Sequence, residues 1–198
     1  MSNNRNLSKI ANTNNLYFTS LGTQPGLVPG MQYYVTNSEI VGVNSTATQD
    51  ILGVGVTLSD NTFYAFEGNF NFFKTAGTAS HTFRFQWGGT VTLDRIVTNM
   101  LVQASAQGFV TINSVRAVRH YTLESVGPFA VMDAVTNSFY TVNFQIRGIV
   151  KVTNGGTLIP QYSLSASPGG AYRASANNNM SIWPLGPSND NINIGSWS

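Results

Sequence analysis

The sequence predicts an all-β protein, an antiparallel sandwich or barrel. Apolar residues alternate with period two over much of the chain, turn residues recur about every 8 to 12 positions, and charge is scarce. Asp, Glu, Lys and Arg make up 9% of the residues, whereas Asn, Thr, Ser and Gly fill 80 of the 198 positions. Soluble proteins average about 25% charged residues, so this surface is polar but uncharged. Hydrophobic residues at 42% and aromatics at 12% suit a folded chain long enough for one real core. No apolar run reaches the length of about 18 residues that a membrane span needs, so no membrane insertion is expected. Ten basic and eight acidic residues leave a net charge of +2 with no basic cluster, which argues against nucleic acid as a partner. The absence of cysteine rules out disulfides and thiolate metal sites.

From residue 1 to 29 the chain is polar and Asn-rich, closing on Pro25-Gly26 and Pro29-Gly30. It reads as an extended N-terminal arm. Its apolar points, Leu16, Tyr17 and Phe18 among them, suit a tether lying along a partner. The domain proper is expected over residues 30–198. Short strands are predicted at Gln32 to Thr36, Glu39 to Val43 and Ile51 to Leu58. In Thr62 to Phe73, Tyr64, Phe66, Phe70 and Phe72 form an apolar face, with Glu67, Asn69 and Asn71 on the other. Parity then switches to His81, Phe83, Phe85 and Trp87 across a turn-like Lys74 to Ala79, so these two strands are expected to be sequential and antiparallel. Leu93 to Ala104 is ambiguous: spacings of three and four suit a helix, while Ile96, Val97, Thr98 and Val102 suit a strand.

Further strands are expected at Phe109 to Asn113, Val115 to Glu124, Phe129 to Val135 and Asn179 to Leu185. The longest alternation, Tyr140 to Val152, predicts a central strand. Asn154-Gly155-Gly156 reads as a hairpin turn with positive φ, returning through Leu158 to Leu164, and Pro160 is expected at an edge or bulge because it donates no ladder bond. Phe63, Phe73, Phe139, Ile149 and Ile159 lie on parities opposite to the core faces, and read as a candidate subunit interface.

The search for chemistry gives no catalytic residue, no cofactor and no metal site. His81 and His120 lie in strand patterns without a neighbouring ligand, and His81 shares the apolar parity of its strand. The eight carboxylates are dispersed. A glycosidase pair would have to be assembled in space, for example from Glu67 and Glu124. Gly53 and Gly55, around Val54, read as close backbone approach or bending rather than a nucleotide loop. An enzyme is therefore not expected.

The runs Thr62 to Phe70, Lys74 to Phe83, Phe144 to Gly148, Gly155 to Tyr162 and Ile194 to Trp197 resemble small virion-surface proteins of tailed bacteriophages. The resemblance covers about residues 30 to 198. It implies a single jelly roll, similar in shape to tumour-necrosis-factor and complement-globular-head domains, and a homotrimer. It also implies a place on the virion surface after assembly in the host cytoplasm. The leading expectation is a non-enzymatic capsid decoration, or cement, protein, whose arm holds the major capsid protein or another virion protein. The alternative is a fibre-tip or receptor-binding module that touches a host surface glycan or receptor. A carbohydrate-active enzyme is a third reading, disfavoured by the isolated carboxylates.

Overall fold

The computed structural model describes residues 30–105 and 117–189, with the backbone alone for 117–123. The candidate arm, with Leu16, Tyr17 and Phe18, lies outside the described residues, as does the strand expected at Phe109 to Asn113. The described residues form thirteen strands and no helix. These are β1 (Gln32–Val35), β2 (Ile40–Val41), β3 (Gln49–Asp50), β4 (Val56–Leu58), β5 (Thr62–Lys74), β6 (Phe83–Gly89), β7 (Thr92–Ser105), β8 (Ala117–Leu123), β9 (Phe129–Ala130), β10 (Tyr140–Asn154), β11 (Gly156–Leu164), β12 (Arg173–Ala174) and β13 (Asn179–Pro187). All pairings are antiparallel, in two sheets. The larger runs β1-β13-β5-β10-β7-β8, with β12 and β2 beside β5, and the smaller runs β3-β11-β6-β9, with β4 also on β11.

The pairs are nested: β1 with β13, β2 with β12, β3 and β4 with β11, β5 with β10, and β6 with β9. The first two lie in the larger sheet, and from there inward the pairs alternate between the smaller and the larger. One register carries through Gln32↔Ile182, Ile40↔Ala174, Val56↔Leu158, Tyr64↔Val150 and Phe85↔Phe129, where every pair of residue numbers has the same sum. The molecule is thus one long antiparallel ribbon wound into a jelly-roll sandwich, with the β7–β8 pair inserted near the ribbon's closed end and added to the larger sheet along β10.

Period-two burial builds the core. Tyr64, Phe66, Phe70 and Phe72 point inward from β5, Phe83, Phe85 and Trp87 from β6, and Val142, Phe144, Ile146, Val150 and Val152 from β10. Phe83 stacks on Tyr162 at 5.0 Å between centroids, Phe72 tilts against both at 5.2 and 5.0 Å, and Phe144 lies within 5.2 to 6.2 Å of four phenylalanines. Leu93 to Ala104 falls within strand β7: Ile96, Thr98, Met100, Val102 and Ala104 are buried in alternation, and the helical spacings there have no helix behind them.

Two connections differ from expectation. β5 and β6 follow each other antiparallel to other partners but belong to opposite sheets, and Lys74 to Thr82 carries the chain across. β10 and β11 likewise do not form a hairpin. Neither Gly155 nor Gly156 has positive φ, and their small size answers to close approach instead. A Cβ on Gly155 would lie 2.7 Å from the Leu58 carbonyl oxygen, and one on Gly156 2.7 Å from the Val91 nitrogen. Pro160 sits inside the smaller sheet, not at its edge. Its carbonyl accepts from the Ile51 N–H at 3.0 Å, so its missing donor faces the gap where residues 52–55 loop out between β3 and β4.

Elsewhere the predicted strands are shortened. Only Ile40–Val41, Val56–Leu58 and Phe129–Ala130 remain of three of them, and the two-residue strands β3 and β12 had no alternation long enough to read. Phe144→Ala should cost about 3–5 kcal/mol, since it empties the centre of the aromatic layer. Denaturant titration measures this, and a loss under about 1 kcal/mol would show that the layer is not what holds the sheets together.

Candidate functional site

The residues singled out from sequence fall in several places. Phe63, Phe73 and Ile149 are all on the outer face of the larger sheet, but Phe63 and Phe73 stand at opposite ends of β5, about 33 Å apart at a strand's rise. Ile159 belongs to the smaller sheet, and Phe139 precedes β10. Four of the five are half-buried, and only Ile149, at 48%, is exposed. They do not form one patch. Phe63 lies under the Lys151 ammonium at 5.8 Å, and Ile159 fills the space beside Gly55, where a Cβ would come within 2.7 Å. Gly53 takes a φ of 70°, so the pair of glycines marks a bend and a close approach, as the sequence suggests.

The apolar surface gathers elsewhere. Of the nine large hydrophobic residues exposed among the described residues, six lie between Tyr33 and Val54: Tyr33, Tyr34, Val35, Val41, Val43 and Val54. β1 and β2 form one margin of the larger sheet, and the loop at residues 51–55 faces them from the smaller. Between the sheets here a groove of about 180 Å³ opens, lined by Tyr34, Val54, Leu158, Met180 and Ile182 among others. The Gln32 Nε2 donates to the Thr57 carbonyl at 3.1 Å and spans the two sheets at this edge. Among the described residues β1 is hydrogen-bonded to β13 alone, so within them an open strand edge runs along the apolar margin. Gly30, where the described chain begins, packs on Pro184 at the end of β1. The sequence marks Gln32 to Thr36 only as a short strand, and nothing in so short a segment says which of Tyr33, Tyr34 and Val35 stay exposed.

A second polar cluster lies inside. Lys74 continues the inward parity of β5 and is fully buried, its ammonium held by the carbonyl oxygens of Gly77 at 2.7 Å, of Ala76 and Ser138 at 3.4 Å, and of Asn137. Burial lowers its pKa. Gly77 meets this requirement with a φ of 83° and a backbone pressed against Pro168 to Gly170, where a Cβ would stand 2.1 Å from a carbonyl oxygen. His81, 1% exposed, accepts at Nε2 from the Tyr172 hydroxyl at 2.9 Å and donates from Nδ1 to the Ala79 carbonyl at 2.8 Å, the tautomer the carbonyl requires. Desolvation lowers the His81 pKa, partly offset by the Ala79 carbonyl and reinforced by the Lys74 charge. Burial also pushes the Tyr172 hydroxyl far up, and that of Tyr162 to about 12. His81 and Tyr172 satisfy each other, backbone carbonyls satisfy Lys74 and the Gln49 side chain satisfies Tyr162, and none of the four lines the groove at the margin.

Glu67 and Glu124 are not brought together. Glu67 is on β5 and Glu124 follows the end of β8, with β10 and β7 between, so three strand spacings, about 14 Å, separate their backbones. Paired glycosidase carboxylates stand about 5 to 9.5 Å apart. Among the described residues no group of three His, Asp or Glu could hold a metal ion.

No protein-family profile and no curated protein sequence matches the chain. Among solved structures it is similar to a carbohydrate-binding module, TmCBM61 in complex with β-1,4-galactotriose, at 12% identity and a TM-score of 0.31, over 77% of this chain and 95% of that one. It is also similar to a protein of the Gx strain of infectious bursal disease virus, at 10% identity and a TM-score of 0.17, over 89% of this chain and 48% of the viral one. A further match is VP2 of that virus, at 8% identity and a TM-score of 0.18, over 86% and 48%. The chain spans about half the length of these viral proteins. Similarity this low speaks to neither function nor partner.

Because His81 is neutral in the fold, the unfolded chain takes up its proton first as pH falls through 6.5. Stability from this group is therefore present above pH 6.5 and declines below it, down to the folded pKa. Thermal melts from neutral to acid pH should show this decline, and His81→Gln should flatten that part of the profile. An unchanged profile in the variant would remove His81 as its source.

Proposed function

We propose that this chain is a non-enzymatic virion structural protein, a decoration or cement subunit on the outside of a bacteriophage head that assembles as a homotrimer. The observation that carries this reading is the apolar margin formed by β1, β2 and residues 51–55. Monomeric proteins cover or charge such edges, whereas among the described residues an open strand edge, three exposed aromatic or branched residues on β1 and an open groove coincide. A contact-making job gives them a purpose. The margin also lies where residues 1–29 join the fold, which suits an arm that reaches from a subunit contact to another virion protein, with Leu16, Tyr17 and Phe18 as its anchors. The sequence resemblance to phage virion-surface proteins points the same way. A receptor-binding module at a fibre tip, the alternative, would use the outer face of the larger sheet instead.

Wild-type protein should sediment at three times the monomer mass of 21.4 kDa at micromolar concentration. Tyr34→Asp and Val35→Lys, both at exposed positions, should keep the melting temperature and give monomer. A wild-type monomer would overturn the contact surface. Quantitative mass spectrometry of purified particles tests the role itself: copy numbers in the hundreds support decoration, tens support the fibre tip, and absence from particles refutes both.

A further inference from the structure

The outer face of the larger sheet carries another depression, of about 370 Å³, whose Glu67 and Asn69 stand two strands, about 10 Å, from Tyr33 and Val35 of the apolar margin. Three adjacent strands form it. β5 contributes Glu67 and Asn69, β10 Gln145 and Arg147, and β7 Asn99 and Leu101. Register sets these six in two rows across the strands, Glu67–Arg147–Asn99 and Asn69–Gln145–Leu101. With strands about 4.8 Å apart and residues i and i+2 about 7 Å apart, the six side chains frame an area of about 10 by 7 Å.

The donors and acceptors there are underused. Gln145 and Arg147 make no hydrogen bond or ion pair among the described residues. Glu67 accepts one bond from the Ser181 hydroxyl at 3.4 Å, and Asn69 donates one to the Asn179 side chain at 3.3 Å. Asn99 has a partner of its own. Glu67 and Arg147 stand directly opposite each other, so the groove has no net charge. An anion would meet the Glu67 carboxylate, and a cation the Arg147 guanidinium. A purely apolar ligand would cover Gln145 and Arg147 and leave them without partners.

What fits is an uncharged molecule whose polar groups both donate and accept, that is, hydroxyls. Side-chain amides, a guanidinium and a carboxylate on one sheet face suit adjacent hydroxyls on a ring. Leu101, 44% exposed at the rim, offers a surface for the ring's C–H face. We propose that this groove binds a neutral hexose unit of an oligosaccharide. The site shares no lining residue with the groove at the apolar margin, so it does not rest on the decoration reading.

The test is nitrogen-15 NMR of the full chain, following the side-chain amides of Asn69, Asn99 and Gln145 during titration with lactose, cellobiose, maltose and mannobiose at millimolar concentrations. Saturable shifts of these amides with at least one disaccharide are expected. Gln145→Ala and Arg147→Ala should each weaken that binding about tenfold or more at an unchanged melting temperature, since both side chains stand in solvent. The proposal is overturned by unshifted amides with all four sugars, by binding that survives both variants, or by stronger shifts with glucuronate or inorganic phosphate. None of these results bears on oligomeric state or particle copy number, so failure here and failure of the structural reading are distinguishable.

Discussion

One register running the length of the chain is the constraint on which the rest of the structure depends. From Gln32↔Ile182 to Phe85↔Phe129, each residue gained on the outgoing arm of the ribbon is matched by one on the returning arm, including at the crossings between sheets. Because side chains alternate with period two, keeping the register keeps every even-numbered aromatic of β5 opposite an even-numbered residue of β10, and both on the core side. A slip of one residue would turn Phe66, Phe70 and Phe72 outward together. The departure at β3 is absorbed by the loop at residues 51–55, the same loop that lines the groove at the sandwich margin, and a second, of two residues, falls at the isolated His81↔Val135 bridge.

The core also solves the problem of few charges. Among the described residues only Lys74 and His81 bring titratable nitrogen fully inside, and each is met by backbone carbonyls or a hydroxyl in place of a carboxylate. The Trp87 indole donates across the sheets to the Thr98 hydroxyl at 3.0 Å, and the Tyr162 hydroxyl to the Gln49 side chain at 2.9 Å. Neutral hydrogen bonds of this kind hold geometry without the desolvation cost of paired ions. Ion pairs are left to the surface, as in Lys151 with Asp94 at 2.8 Å and Arg173 with Glu39 at 2.7 Å, where they contribute little.

Strand identity was legible where alternation was long, in β5, β6, β10 and β13, because burial on one face leaves a period of two. Partnership was not legible. Lys74 to Ala79 and Asn154 to Gly156 announce reversals of direction, but a reversal within a sheet and a crossing to the facing sheet use the same Gly-rich residues. Lys74 sits on the apolar parity of β5 and so carried a signal of burial, masked by its place beside a turn. Glu67, Asn69, Gln145 and Arg147 were legible as outward-facing, yet only the register places them side by side. The five residues read as an interface shared a parity argument, which says that a side chain leaves the core and nothing about its neighbours.

The nesting has a consequence for when the molecule comes into being. Its outermost pair joins Gln32 to Ile182, so β1 finds its partner only when nearly the whole chain has been made, while the inner pair of β6 with β9 needs far less of it. Contacts so distant in sequence form slowly, and the closing step is the one with the largest loop to bring together. The margin bearing Tyr33, Tyr34 and Val35 is therefore assembled last. A half-made chain has no such surface to offer a neighbour, and association through it is timed to the completion of the fold.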